Sequence, residues 1–220
     1  FGLMMVKMGQ ADGFLGGITR SYPQIIRPAL QIIGLRKDIT RVAGFYMVVY
    51  RDKTLFLSDT TVNQYPSADV LAEIAIHSAK AARFFDITPQ VAMVSYSNFG
   101  SVRNRDLARI TEALKIVKQR EPGLTIDGEM QAHLAVNAEL RQRDYPFCEL
   151  HGEANVLVFS NLHAANSAYR LLQALSECEI IGPILMGMDK PVNVLSQESL
   201  VQDVVNMTAI SVLESQQGVI

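Results

Sequence analysis

Val91–Val117, VAMVSYSNFGSVRNRDLARITEALKIV, is the stretch whose reading decides the fold. It opens as a continuous apolar run, turns through Ser95-Tyr96-Ser97-Asn98-Phe99-Gly100-Ser101, and continues with Leu107, Ile110, Leu114 and Val117 at helical spacing. A strand that is apolar on both sides needs cover on both faces, which is the condition of a parallel sheet between helices. The same order returns at Asn155–Phe159 followed by Ala164–Leu175, and a short strand, Leu124-Thr125-Ile126, leads into Asp127-Gly128-Glu129. Upstream, Gly44–Tyr50 and Thr54–Ser58 flank Arg51-Asp52-Lys53 as a hairpin. Ser67 then caps a helix carrying Val70, Leu71, Ile74, Ala75, Ala79 and Phe84. The alternation predicts an α/β sandwich with a largely parallel sheet, and ligands outside the carboxyl ends of its strands.

The 220 residues are 49% hydrophobic and 19% charged, with a net charge of −2, which excludes a disordered tail and a strongly basic nucleic-acid or membrane-surface binder. No apolar run reaches membrane-span length and no signal peptide is visible, so a cytoplasmic location is expected. Cys148 and Cys178 have no metal-type spacing and read as buried free thiols. Phe1–Gly9 lacks an initiator Met and reads as the last turns of an apolar helix, the mark of a fragment of a longer polypeptide. Turn composition places boundaries near Gly34–Asp38 and Gly182-Pro183. Residues 1–40 and 182–220 would then form one domain, truncated at its start, and 41–181 an inserted, self-contained domain.

Gly182–Asp203, GPILMGMDKPVNVLSQESLVQD, carries the densest chemistry. A turn-rich segment delivers the Ser196 hydroxyl just before a helix, and the Asp203 carboxylate follows. The position after Ser196 is Gln197, where a site gripping phosphate would hold a guanidinium, and Glu198 comes next. The turn at 95–101 suits anion binding by backbone N–H groups at a helix start, although ordinary capping explains the same residues. Asp127 and Glu129 offer paired carboxylates, or simple dipole complementation. Arg27, before Pro28, reads either as a phosphate clamp or as a surface ion-pair member. His163 reads as a structural turn at a helix start, and Met186 and Met188 as apolar contact surface. No Walker A loop, GxGxxG fingerprint, HExxH or CxxC is present.

In order along the chain, ADG at 11–13, RPALQII at 27–33, VSYSNFGS at 94–101, IDGEMQ at 126–131, NVLVF at 155–159, and GPILMG, KPVN and LS within 182–196 resemble the phosphotransacetylase (phosphate acetyl/butyryl transferase) family. The resemblance implies a three-layer, two-domain fold of the isocitrate/isopropylmalate dehydrogenase-like kind, with mostly parallel sheets and coenzyme A in the cleft between domains, here without its N-terminal part. It implies that Ser196 and Asp203 help activate the coenzyme A thiol. It puts acetyl-CoA against Arg27, Ser97, Asn98, Phe99, Gly100, Ser101, Lys190, Asn193, Ser196 and Gln197, with no metal site.

Two positions depart from the family pattern. Gln197 replaces an arginine, and Phe99 a lysine. With Thr19–Pro23 and Ala164-Ala165-Asn166, these departures are similar to the C-terminal phosphotransacetylase-like region of bacterial hybrid NADP-dependent malic enzymes. That likeness implies a catalytically silent regulatory and oligomerising module with acetyl-CoA as effector. Its partner would be a malic-enzyme unit of the same chain, which would hold the NADP and divalent metal. The alternative is a working phosphate acetyltransferase that makes acetyl-CoA from acetyl phosphate.

Overall fold

The computed structural model describes all 220 residues as a mixed α/β molecule built on two sheets. A small sheet pairs β1 (Phe14–Gly17) with β8 (Val192–Leu195) in parallel. The large sheet has six strands: β2 (Ala43–Tyr50), β3 (Lys53–Ser58), β4 (Val91–Val94), β5 (Ile126–Met130), β6 (Val156–Phe159) and β7 (Glu179–Met186). Their spatial order is β5-β4-β6-β3-β2-β7, parallel from β5 to β3 and antiparallel across β2 and β7. The β2–β3 hairpin turns at Arg51 and Asp52, with Tyr50 opposite Lys53.

Strand alternation sorts the large sheet's side chains into two cores. Phe45, Phe56, Val91, Met93, Val156 and Val158 face α3 (Ala68–Phe84) and α4 (Arg105–Arg120). Tyr46, Leu57, Ala92, Val94, Leu157 and Phe159 face α5 (Ala132–Ala135) and α7 (Leu162–Leu175). The result is three layers, helix on sheet on helix. A third core gathers α1 (Gly2–Lys7) and α2 (Tyr22–Ile32) on β8, through Leu3, Val6, Ile26, Ala29, Val192 and Val194. The short α6 (Ala138–Asp144) carries Arg141, and α8 (Val201–Gln217) sends Met207 and Ile210 into the first core.

The sequence-based elements shift in places. β5 begins at Ile126, so Asp127, Gly128 and Glu129 lie inside the strand rather than beyond its end. Gly128 makes this possible: at φ +142, a Cβ there would stand 2.7 Å from the Met93 carbonyl of the neighbouring strand. Gly182 and Pro183 lie within β7, which pairs with β2 from Val49–Glu179 to Ala43–Met186 with a register shift between Phe45 and Met47. Asn161, not His163, caps α7, its Oδ1 accepting from Ala164 N at 2.9 Å. Cys148 and Cys178 are free, but half-buried rather than buried. No helix is long and apolar enough to cross a membrane.

Candidate active site

Parallel strands deliver their carboxyl ends to one edge, and here both sheets deliver them to one cleft. From the small sheet, β1 ends at Gly17 and β8 at Leu195, paired in register, so Ile18–Arg20 and Ser196-Gln197 emerge side by side. From the large sheet, β3 runs into Thr60 and Thr61, and β6 into α7. These four exits surround a cavity of about 380 Å³ lined by Arg20, Tyr22, Tyr46, Thr60, Thr61, Asn166, Tyr169, Arg170, Ser196 and Gln197, among others. Two guanidiniums line it and no carboxylate does.

Each wall is held by identifiable bonds. Asp59, 2% exposed, accepts from Gly44 N (3.1 Å), Thr61 N (2.9 Å), Val62 N (3.2 Å), Asn63 N (2.8 Å) and Asn63 Nδ2 (2.6 Å). That many donors converging on one buried side chain fix the loop that carries Thr60 and Thr61. Tyr46 and Tyr169 stack with centroids 4.1 Å apart, and Arg170 lies over the Tyr169 ring at 5.2 Å. Burial pushes the ionisation of the Tyr46 phenol upward, so this floor is neutral. The Tyr22 Oη is buried without a hydrogen-bond partner, and its ionisation is likewise raised by burial.

Ser196 is half-buried; its Oγ lies 3.3 Å from Ser199 Oγ and accepts from Glu198 N at 3.1 Å. Asp203 sits in the first turn of α8, where its Oδ2 accepts from Leu200 N at 2.7 Å. Both groups thus belong to one tight turn, although they do not bond each other. Glu198 instead reaches across to α7, its Oε2 2.9 Å from Arg170 Nη1.

The other sequence-derived residues lie apart from this cavity. Arg27 is exposed on the outer side of α2, in a groove with Arg20, Gln24 and Gln31, and enters no ion pair. Lys190 is exposed at the opposite end of β8 from Ser196. Asn193 is fully buried: its Oδ1 accepts from Leu185 N at 3.3 Å, and its Nδ2 donates to Ser211 Oγ (3.1 Å) and Glu214 Oε2 (2.7 Å). It braces β8 against β7 and α8 and has nothing left for a ligand.

The 97–101 turn also corrects its sequence reading. Its N–H groups are satisfied internally: Asn98 N by Ser101 Oγ, Phe99 N by the Glu129 carbonyl, Gly100 N by Glu129 Oε1 at 2.7 Å, Ser101 N by the Asn98 carbonyl, and Val102 N by Ser97 Oγ. Ser97 Oγ also donates to Glu129 Oε1 at 3.0 Å. The anion that the turn cradles is the protein's own Glu129, 3% exposed. Phe99 packs against Tyr145 and Phe147, with centroids 5.0 and 5.1 Å away. Sequence reasoning missed Arg20, Arg170, Thr60 and Tyr169, which have no local signature and meet only because two sheets share one edge.

Fold and cleft together define an α/β protein with two guanidiniums in a cleft where the strand ends of two sheets converge. The family described as "Phosphate acetyl/butaryl transferase" matches residues 1–212, and the chain belongs to that family. It is 38% identical over 215 residues to a phosphate acetyltransferase of Bacillus subtilis, covering 98% of this chain and 67% of that protein. A phosphate acetyltransferase of Synechocystis is 38% identical over 97% of this chain, which spans only 31% of that protein. A crystal structure of a phosphotransacetylase from Streptococcus pyogenes superimposes with a TM-score of 0.93 at 36% identity, over 99% of this chain and 67% of that one.

These likenesses overturn the expectation of a silent module in an NADP-dependent malic enzyme. The relatives that cover nearly the whole chain bear a transferase name, not that of an oxidoreductase. The reasoning failed because it weighed two lost charges, at Gln197 and Phe99, and could not see the guanidiniums that other segments bring to the cleft.

Proposed function

We propose that the protein is a phosphate acetyltransferase that exchanges an acetyl group between phosphate and the thiol of coenzyme A. One observation carries the reading: Ser196 stands in a cleft lined by two guanidiniums, in a chain of this family. Acetyl phosphate binds with its phosphoryl group towards the guanidiniums, and the coenzyme A thiol approaches Ser196. Asp203 takes the thiol proton, sulfur attacks the acetyl carbon, and the C–O bond to phosphate breaks. The proton leaves with the phosphate, which gives acetyl-CoA and inorganic phosphate. Guanidinium donors matter most as the bridging oxygen gains charge, because such stabilisation is commonly the largest catalytic contribution.

Coenzyme A is thus a substrate in this reading. Running from Ser196 along the strand ends, it would meet the 97–101 turn through side chains rather than through backbone N–H groups. The two lobes, residues 1–40 with 182–220 and residues 41–181, would supply the two walls, with β7 shared between them. The test is the rate of acetyl-CoA formation from acetyl phosphate and coenzyme A by the full-length protein. Ser196→Ala and Asp203→Asn are each expected to lower kcat by about a hundredfold or more. No turnover by the parent protein above the level of the doubly substituted one would refute the proposal.

A further inference from the structure

Gln197 leaves the expected phosphate-binding position without a charge, yet the cleft is not without cations. Arg170 lies just past the middle of α7, on the wall opposite Ser196, with its guanidinium over the Tyr169 face. Its side-chain hydrogen bonds all come from Nη1, to Gln173 Oε1 at 3.2 Å and Glu198 Oε2 at 2.9 Å. Nη2 and Nε, which complete the fork that matches a phosphate bidentately, bond nothing in the protein. The Tyr169–Tyr46 stack gives the guanidinium an aromatic face to lie against, 5.2 Å from the Tyr169 centroid.

The bond to Glu198 crosses the cleft mouth. It joins the large-sheet wall to the 196–200 turn, one residue past Gln197. Glu198 is 74% exposed and Arg170 46% exposed, so their pair is weak, as surface ion pairs are. A dianionic phosphoryl group that offers two oxygens to the fork outcompetes one exposed carboxylate. Arg20, on the other wall, lines the same cavity and has no carboxylate partner.

We propose that Arg170 is the guanidinium that receives the phosphoryl group in this cleft, and that Glu198 is a tethered competitor that occupies it until that group arrives. The inference rests on the acyl-phosphate reading of the cleft and names the residue that replaces the missing charge at position 197. Glu198 thereby sets the phosphate concentration at which the cleft fills, and its release frees the 196–200 turn to settle around the thiol.

Binding of inorganic phosphate, followed by phosphorus NMR line width on the full-length protein, separates this inference from the activity it rests on. Arg170→Gln is expected to weaken phosphate about tenfold and to raise KM for acetyl phosphate similarly, with KM for coenzyme A within about twofold. Arg170→Lys, which keeps charge but not the fork, falls between. Glu198→Gln tightens phosphate by about threefold in the parent and has no effect when Arg170 is already Gln. Phosphate affinity unchanged by Arg170→Gln, or a Glu198→Gln effect that persists without Arg170, would overturn the proposal. Arg170-dependent phosphate binding without turnover would uphold this site while refuting the transferase activity. Turnover with normal phosphate affinity in Arg170→Gln would do the reverse.

Discussion

Glu214 is a carboxyl whose ionisation is out of keeping with its type. Burial raises its pKa to about 7, opposed by hydrogen bonds from Asn193 and the Ile220 backbone. A carboxyl with a raised folded-state pKa contributes stability that is complete below its unfolded value and is lost as pH rises through the folded one. His77 runs the other way. Its pKa is lowered to about 4, chiefly by burial, so its contribution is complete above the unfolded value and lost as pH falls. The difference between parent and Glu214→Gln isolates the carboxyl. The variant is expected to gain on the parent between pH 5 and 8, by on the order of 3 kcal/mol at most, as read from urea unfolding. A flat difference across that range would show that Glu214 ionises normally. Asp59 is a buried side chain of another kind, held by donors from Gly44, Thr61, Val62 and Asn63. Asp59→Ala orphans buried N–H groups and is expected to cost roughly 3 kcal/mol or more, with loss of the cleft wall at Thr60 and Thr61.

At the scale of elements, the β1–β8 pair aims Ser196, and Gly17 sets its closeness. Gly17 has φ +138, and a Cβ there would lie 2.1 Å from the Leu195 carbonyl oxygen, one residue before Ser196. Gly17→Ala is therefore expected to cost about 2 kcal/mol or more and to depress turnover beyond its effect on folding. Gly9→Ala is the control: it too has positive φ but meets no atom, and should cost only about 1 kcal/mol. Thermal unfolding and initial rates of both variants check the pair.

How legible each element was in the sequence follows from its pattern. The α3 and α4 stripes and the apolar β4 and β6 runs stand out because both periodicities are clean over their full length. Phe14-Leu15-Gly16-Gly17 did not read as a strand, since half its residues are glycine and none is buried. The short α5 and α6 lack the turns needed to show a stripe. In the site, the hydroxyl at 196 was visible from its turn, because turn chemistry is local. Arg170 was not, because an arginine after Tyr169 on a helix looks like any solvated residue until the fold places Ser196 opposite it.

For the molecule as a whole, the cleft joins walls from two sheets, so a ligand that touches both should couple them. Acetyl phosphate or coenzyme A at about a hundred times its dissociation constant adds roughly 2.7 kcal/mol to stability. For a chain of this size that amounts to roughly 5–10 °C in melting temperature. Differential scanning fluorimetry across a concentration series measures it. No shift at saturation would show that the walls bind nothing jointly.

Glu129, set inside the 97–101 turn, has a consequence for selectivity among solutes. A bare glycine turn at a helix start takes up whatever phosphate or sulfate the medium contains. This one is prefilled by a covalently attached carboxylate, so its shape is independent of the surrounding salt. Free anions are then not drawn to this turn, and the cleft with its two guanidiniums stays open to them. The protein is in effect insulated against unproductive capture of the ion that its proposed reaction releases.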